Sequence, residues 1–269
     1  MIHKAKKSLG QNFLINPKVA ERIALDADIS KKDIVLEIGP GTGYLTKYLL
    51  ARVKKVVAIE KDHELFKFLQ NKFSDQIKLG SFVLVHDNVL DFDMSKTPFD
   101  INQYKIIANI PYNITGAILK KFLSEKNKPE SMTLMIQKEV AERIIAKDGK
   151  ESLLSISVKT YGEPKILFKV SRGNFYPSPN VDSAVIAIKN ISRKIFVENE
   201  VNEEQFWGIV RAGFAHKRKK LSSNLKVLQN KSKMDGSLAS VHLGNSRAEE
   251  LKLADWINLV KSMDINKKE

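Results

Sequence analysis

The stretch IIANIPYNITG, residues 106–116, stops an apolar run at an amide, Asn109, and continues with Ile110, Pro111 and Tyr112. An asparagine at a strand end offers an oxygen that accepts and an NH2 that donates. Pro111 holds Ile110 extended and so fixes where the Ile110 carbonyl points. Two neighbouring acceptors suit an amino group with two N–H bonds, and Tyr112 adds a flat face for a planar ring. Such a set could receive a nucleobase taken out of its stack. A second aromatic comes from far along the chain, in NFYPSPNVDSAV, where Pro177 and Pro179 stiffen a loop carrying Phe175. A stiff loop presents a ring at low entropic cost, so Phe175 is expected opposite Tyr112.

The elements that must position these residues are legible as alternating patterns. Apolar, β-branched runs recur at residues 33–38 (DIVLEI), 55–60 (KVVAIE), 82–87 (FVLVHD), 104–109 (YKIIAN) and 132–137 (MTLMIQ), with helix-like segments between them. Strands alternating with helices imply a parallel sheet covered on both faces. SLLSISVKTYG is a further apolar segment, and KILFKV and SAVIAIK are late strands whose proline-rich connection predicts an antiparallel hairpin closing the sheet. The expected fold class is α/β, a Rossmann-like, mostly parallel seven-stranded sheet over residues 1–196. Beyond residue 197 the strand signal ends, and residues 197–269 read as a small all-helical domain. Its last helix is expected to open with a capping box at Ser246 and Glu249.

In such a sheet ligands bind beyond the carboxyl ends of the strands. The first strand delivers Gly39, Gly41 and Gly43, the second Glu60, the third Asp87 and Asn88, and the fourth Asn109. A dinucleotide fingerprint would need glycine where Tyr44 stands. The spacing E-x-G-x-G-x-G instead resembles the S-adenosylmethionine loop of class I methyltransferases, in which glycines let the backbone approach the amino-acid end of the ligand. Glu60 is then placed for the ribose hydroxyls, and Asp87 for the adenine amino group, with Asn88 and Val89 beside the ring. Methyl transfer to an exocyclic adenine amine is opposed by delocalisation of the nitrogen lone pair. Asn109 Oδ1 and the Ile110 carbonyl, accepting from the two N–H bonds, would help that nitrogen pyramidalise.

Forty-five Lys and Arg against 31 Asp and Glu leave a formal charge of +14, which favours polyanionic partners. Lys217, Arg218, Lys219 and Lys220 gather near Phe214 and His216, with Lys4, Lys6 and Lys7 as a second patch; both are expected to meet RNA phosphates. The chain has no cysteine, which removes disulfides, thiolate metal sites and cysteine nucleophiles. Neither a signal peptide nor a membrane-spanning stretch is evident, so a cytoplasmic, monomeric protein without a metal or a membrane partner is expected.

KKSLGQNFL, EIGPGTGYLT, NIPYNI and FYPSPNVDSAV, in this order and spacing, resemble the ribosomal RNA adenine dimethyltransferases over nearly the whole chain. The resemblance implies transfer of two methyl groups from S-adenosylmethionine to each of two adjacent adenines near the end of small-subunit rRNA, on the subunit or its precursor particle. It also implies cofactor contacts from Asn12, Leu14, Gly39, Glu60, Asp87 and Asn109. Family members usually carry arginine where Lys217 stands, so a bidentate phosphate contact is reduced here to a point charge. Alternatives are a resistance enzyme acting on large-subunit rRNA and a non-catalytic assembly or transcription factor. FYPSPNVDSAV together with the basic KRKKLSSNL and the SRAEEL helix favours the small-subunit reading, and retention of Asn109 and Glu60 favours an enzyme. A DNA adenine methyltransferase usually places proline directly after the Asn or Asp, where this chain has Ile110.

Overall fold

The computed structural model describes residues 5–6, 9–93, 103–228 and 231–265. Seven strands form the main sheet: β1 (Ile34–Ile38), β2 (Lys55–Glu60), β3 (Phe82–His86), β4 (Lys105–Asn109), β5 (Ser131–Gln137), β6 (Glu163–Val170) and β7 (Ser183–Lys189). Their spatial order is β3-β2-β1-β4-β5-β7-β6. The first five are parallel to one another, while β7 runs antiparallel to both β5 and β6. Val35 to Ile38 in β1 and Ser183 to Ile188 in β7 are buried without a break. Consecutive residues of a strand point to opposite faces, so both faces of these strands are covered. That explains why the runs are apolar throughout rather than alternating.

The order in which strands are added reverses at β1. Successive strands step outward to β2 and β3, and β4 then returns to the other side of β1. The crevice at this switch point lies beyond the carboxyl ends of β1 and β4, which end in Ile38 and Asn109. A two-residue ribbon closes over it, pairing Phe13 with Tyr176 and Leu14 with Phe175 in antiparallel register. The ribbon precedes a helix, Pro17–Asp26, which opens on a side-chain cap: Asn16 accepts from the Lys18 amide at 3.0 Å and Pro17 occupies the first turn.

The described residues divide into two compact units, one running up to Ala141 and including Glu163–Ile191, the other combining Glu142–Gly162 with the chain from Ser192 onward. The expected boundary at residue 196 thus lies five residues beyond this break, and the segment read as merely apolar, SLLSISVKTYG, belongs to the second unit. There it forms the helix Leu153–Lys159, opened by a capping box between Ser152 and Ser155. Within that unit the Trp207 indole donates to the Tyr161 hydroxyl at 2.9 Å, tying the segment to the helix Glu203–Gly213. The capping box expected at Ser246 and Glu249 is displaced by one residue. The Arg247 amide donates to the Glu250 carboxylate at 3.0 Å, a 3-10 turn covers Ala248–Glu250, and the helix begins at Leu253.

Candidate active site

One cavity collects what the strands deliver. It is lined by residues 9–14, by Glu37 to Thr42, by Glu60, by Asp87 to Leu90 and by Asn109 to Ile114. Gly39 and Gly41 have φ of +63° and +59°, and the Gly41 amide donates to Glu60 Oε2 at 3.2 Å. A Cβ on Gly41 would sit 3.2 Å from the Phe13 ring, so the loop and the ribbon approach each other more closely than a side chain comfortably permits. Gly43 has a different task. It does not line the cavity; its φ is +77°, and a Cβ there would lie 2.6 Å from the Phe73 ring. The structure therefore corrects its expected role: Gly43 lets the helix Tyr44–Leu50 pack against Phe73.

Glu60, 5 % exposed, accepts from Gly41 and, at 2.8 Å, from the Asp62 amide. Burial raises its carboxyl above the ordinary value, and the two backbone bonds oppose that shift. Asp62 is a residue that the sequence did not single out. It caps the helix His63–Lys72 through the Glu64 amide at 3.0 Å and receives Lys6 Nζ at 2.9 Å and Gln11 Nε2 at 3.1 Å. Lys6 is thus paired with an acid at the cavity's edge; Lys4 and Lys7 lie outside the described residues. Asp87 Oδ1 accepts from the Asn88 amide at 2.7 Å. The Asn88 side chain is held within the turn, donating to Asp91 at 2.6 Å and accepting from Leu90 at 3.3 Å, and the residue lines the cavity beside Val89.

At the other end, Asn109 Nδ2 donates to the Asn12 carbonyl at 3.3 Å. That bond uses one N–H of the amide, and Asn109 itself lines the cavity. Ile110 and Pro111 form the adjoining wall, and Pro111 (φ −59°, ψ 132°) leads into the 3-10 turn Tyr112–Ile114. The half-buried Tyr112 lines the cavity, and its hydroxyl lies 2.7 Å from Ser183 Oγ. Phe175 does not join it. Its pairing with Leu14 turns the ring inward, where it is 3 % exposed among Leu14, Phe168 and Val185, while its neighbour Tyr176 is the exposed one.

Lys217, Arg218, Lys219 and Lys220 are all exposed, on the loop ahead of the helix Leu221–Leu225. Lys220 donates to Asn245 at 2.9 Å. Buried Asn224 donates to the Gly213 and His216 carbonyls at 2.6 and 3.1 Å, which fixes the start of that loop.

Glu37 is the second acid that the sequence underused. It is fully buried, it borders the cavity, and its Oε2 meets no partner. Burial pushes its carboxyl up to about 8, with the charge of Glu60 adding to the shift and the nearby Thr46 hydroxyl opposing it. An orphaned acid beside a glycine cradle fits a ligand whose near end is cationic, as the amino-acid end of S-adenosylmethionine is. The raised value also carries a stability signature. The folded state holds this proton more tightly than the unfolded chain does, so its stabilising effect is complete below the unfolded value of 4.5 and is lost as pH rises toward about 8. Glu37→Gln should abolish this loss, leaving the ligand-free protein more stable than the parent at pH 8.5 by on the order of a few kcal/mol. Thermal melts from pH 5 to 9 would show it, and parallel curves for the two proteins would refute it.

No group of three or more His, Asp or Glu residues able to hold a metal occurs among the described residues, and none of their helices is long and apolar enough to cross a membrane. The family model for ribosomal RNA adenine dimethylases matches residues 2–264. The ribosomal RNA small subunit methyltransferase A of Fusobacterium nucleatum is 40 % identical over 266 residues, covering 97 % of this chain and 98 % of that protein. Among solved structures, a dimethyladenosine transferase from Plasmodium falciparum superposes with a TM-score of 0.79 at 27 % identity, covering 95 % of this chain and 98 % of that one. The 23S rRNA methyltransferase ErmE gives 0.74 at 26 % identity, covering 94 % and 100 %. With the glycine cradle, the strand-end acids and the Asn109 corner all in one cavity, the chain belongs to the ribosomal RNA adenine dimethylase family.

Proposed function

We propose that this protein dimethylates the N6 amines of two adjacent adenosines near the 3′ end of 16S rRNA, using S-adenosylmethionine. The observation that carries the reading is Asn109: it lines the cavity with Tyr112 and the glycine loop, and its NH2 donates to the Asn12 carbonyl, which leaves its oxygen as the acceptor for an incoming amine. A likeness to small-subunit methyltransferases along nearly the full chain, at an identity well above that to ErmE, favours the small subunit over the large.

When bound, S-adenosylmethionine supplies the methyl group on a sulfonium. Gly39 and Gly41 leave room for its amino-acid end, Glu60 takes the ribose hydroxyls and Asp87 the adenine amino group. Asn109 Oδ1 and the Ile110 carbonyl hold the two hydrogens of the target amine, turning its lone pair toward the methyl carbon. Tyr112 stacks on the target base. A general base is unnecessary, since the methylated ammonium is acidic enough to lose its proton to water; alignment and exclusion of solvent supply the rate. The second transfer starts from an amine with one N–H, so only one of the two acceptors is needed for it. Lys217, Arg218, Lys219 and Lys220 are assigned to rRNA phosphates, and a cytoplasmic monomer acting on the small subunit or its precursor completes the reading.

The test is incubation with labelled S-adenosylmethionine and ribosomal subunits lacking adenine dimethylation, followed by nucleoside mass analysis. Dimethyladenosine in the small subunit alone is expected. Label in the large subunit would reassign the substrate, and no label in either would defeat the proposal.

A further inference from the structure

We infer that Ser183 is a positioning residue for methyl transfer, anchoring the Tyr112 ring from across the sheet through the bond between their hydroxyls. This rests on the reading of Tyr112 as the ring that receives the target base.

The two ends of Tyr112 are held by different parts of the fold. Its backbone opens the turn that follows Pro111, beyond the end of β4. Its hydroxyl reaches Ser183 Oγ at 2.7 Å. Ser183 is the first residue of β7, is completely buried, and stands in register with Gln137 of β5 on one side and Val170 of β6 on the other. A residue laddered on both sides cannot shift without breaking both pairings, so the phenol tip is tied to a rigid part of the sheet.

The geometry decides what the bond can do. The phenolic oxygen lies on the long axis of the ring, so holding it fixes the direction of that axis and thus how far the ring reaches into the cavity. Rotation about the axis is soft for an aromatic side chain. The hydroxyl hydrogen and lone pairs prefer the ring plane, however, and a partner on one side favours one ring face over others. Burial raises the Tyr112 phenol above its ordinary value, which keeps it protonated and able to share in this bond near neutral pH. A phenylalanine would stack equally well but lose the anchor. That contrast separates positioning from packing.

The experiment compares Tyr112→Phe, Ser183→Ala and the double variant with the parent enzyme, on small subunits lacking adenine dimethylation. Each single variant should lower single-turnover methyl transfer by about tenfold, short of the roughly 100-fold that follows a full misplacement of the reacting groups. S-adenosylmethionine affinity should stay at the parental value in all three. The double variant should be no slower than either single one, because both remove the same bond. Ser183→Thr, which keeps a hydroxyl, should recover most of the loss. Losses that multiply in the double variant, or a parental rate in Tyr112→Phe, would overturn the inference. Tyr112→Phe alters only a half-buried hydroxyl, so it answers even if Ser183→Ala folds poorly. Failure of the functional proposal would look different: the parent enzyme itself would then leave the small subunit unlabelled.

Discussion

Asn109→Ala is expected to slow methyl transfer by about 100- to 1000-fold, the range seen when one preorganised hydrogen-bonding group is removed from a charge-developing site. S-adenosylmethionine affinity should change far less. The expectation follows from the way the amide is locked. Nδ2 donates to the Asn12 carbonyl at 3.3 Å, so the side chain cannot rotate its NH2 toward the substrate without breaking a bond to the residue that leads into the ribbon. Alanine removes the acceptor and also the bond to the Asn12 carbonyl. Asn109→Asp separates the two effects. It restores an acceptor, but a carboxylate oxygen would face the Asn12 carbonyl, where repulsion replaces the bond. We expect Asn109→Asp to remain at least about tenfold below the parent even though it carries two acceptors. Single-turnover rates at saturating cofactor would measure both, and an alanine variant within a factor of three of the parent would remove Asn109 from the mechanism.

What the sequence disclosed and what it hid divide along one physical line. Strand identity was readable because buried parallel strands are apolar on both faces, and a parallel sheet brings every carboxyl end to one edge. Hence Gly39, Glu60, Asp87 and Asn109, widely separated in the chain, arrive at one cavity as expected. What could not be read depends on which way a side chain turns. Phe175 was expected in the cavity because its loop is stiff, but the pairing of Leu14 with Phe175 joins segments some 160 residues apart, and that register turns the ring into the core. Gly43 belongs to the same glycine motif as its neighbours, yet what requires it is Phe73, contributed by the end of a later helix. Asn88 lines the cavity, but its side chain is taken up by its own turn. Lys6 was read as part of a phosphate patch, but Asp62 holds it at the cavity's edge, a pairing invisible without the fold. Ser183 did have a signal: it stands within the quoted FYPSPNVDSAV, as a polar residue opening an otherwise apolar strand.

Glu60→Ala should have the opposite signature to Asn109→Ala: S-adenosylmethionine affinity falls by about 100-fold, while turnover at saturating cofactor stays within a few-fold of the parent. Two ribose hydroxyls donating to one carboxylate are charge-assisted bonds, each contributing roughly 1.5 kcal/mol or more, and about 1.4 kcal/mol corresponds to a tenfold change in affinity. The carboxylate is already oriented by the Gly41 and Asp62 amides, so little ordering remains to oppose binding. Its removal also leaves those two donors without their acceptor, which adds to the loss. Glu60→Gln keeps the shape and one acceptor oxygen but not the charge, and should fall between the two. Calorimetric titration with S-adenosylmethionine, paired with single-turnover rates, would test the set. A parental affinity in Glu60→Ala would move the ribose to another residue. A fall in rate at saturation as deep as that of Asn109→Ala would mean that the two ends of the cavity do not act separately. The crossed result, affinity lost at the end of β2 and rate lost at the end of β4, is what a site assembled from independent strand ends requires, since Glu60 and Asn109 are separated by all of β1 and share no hydrogen-bond partner.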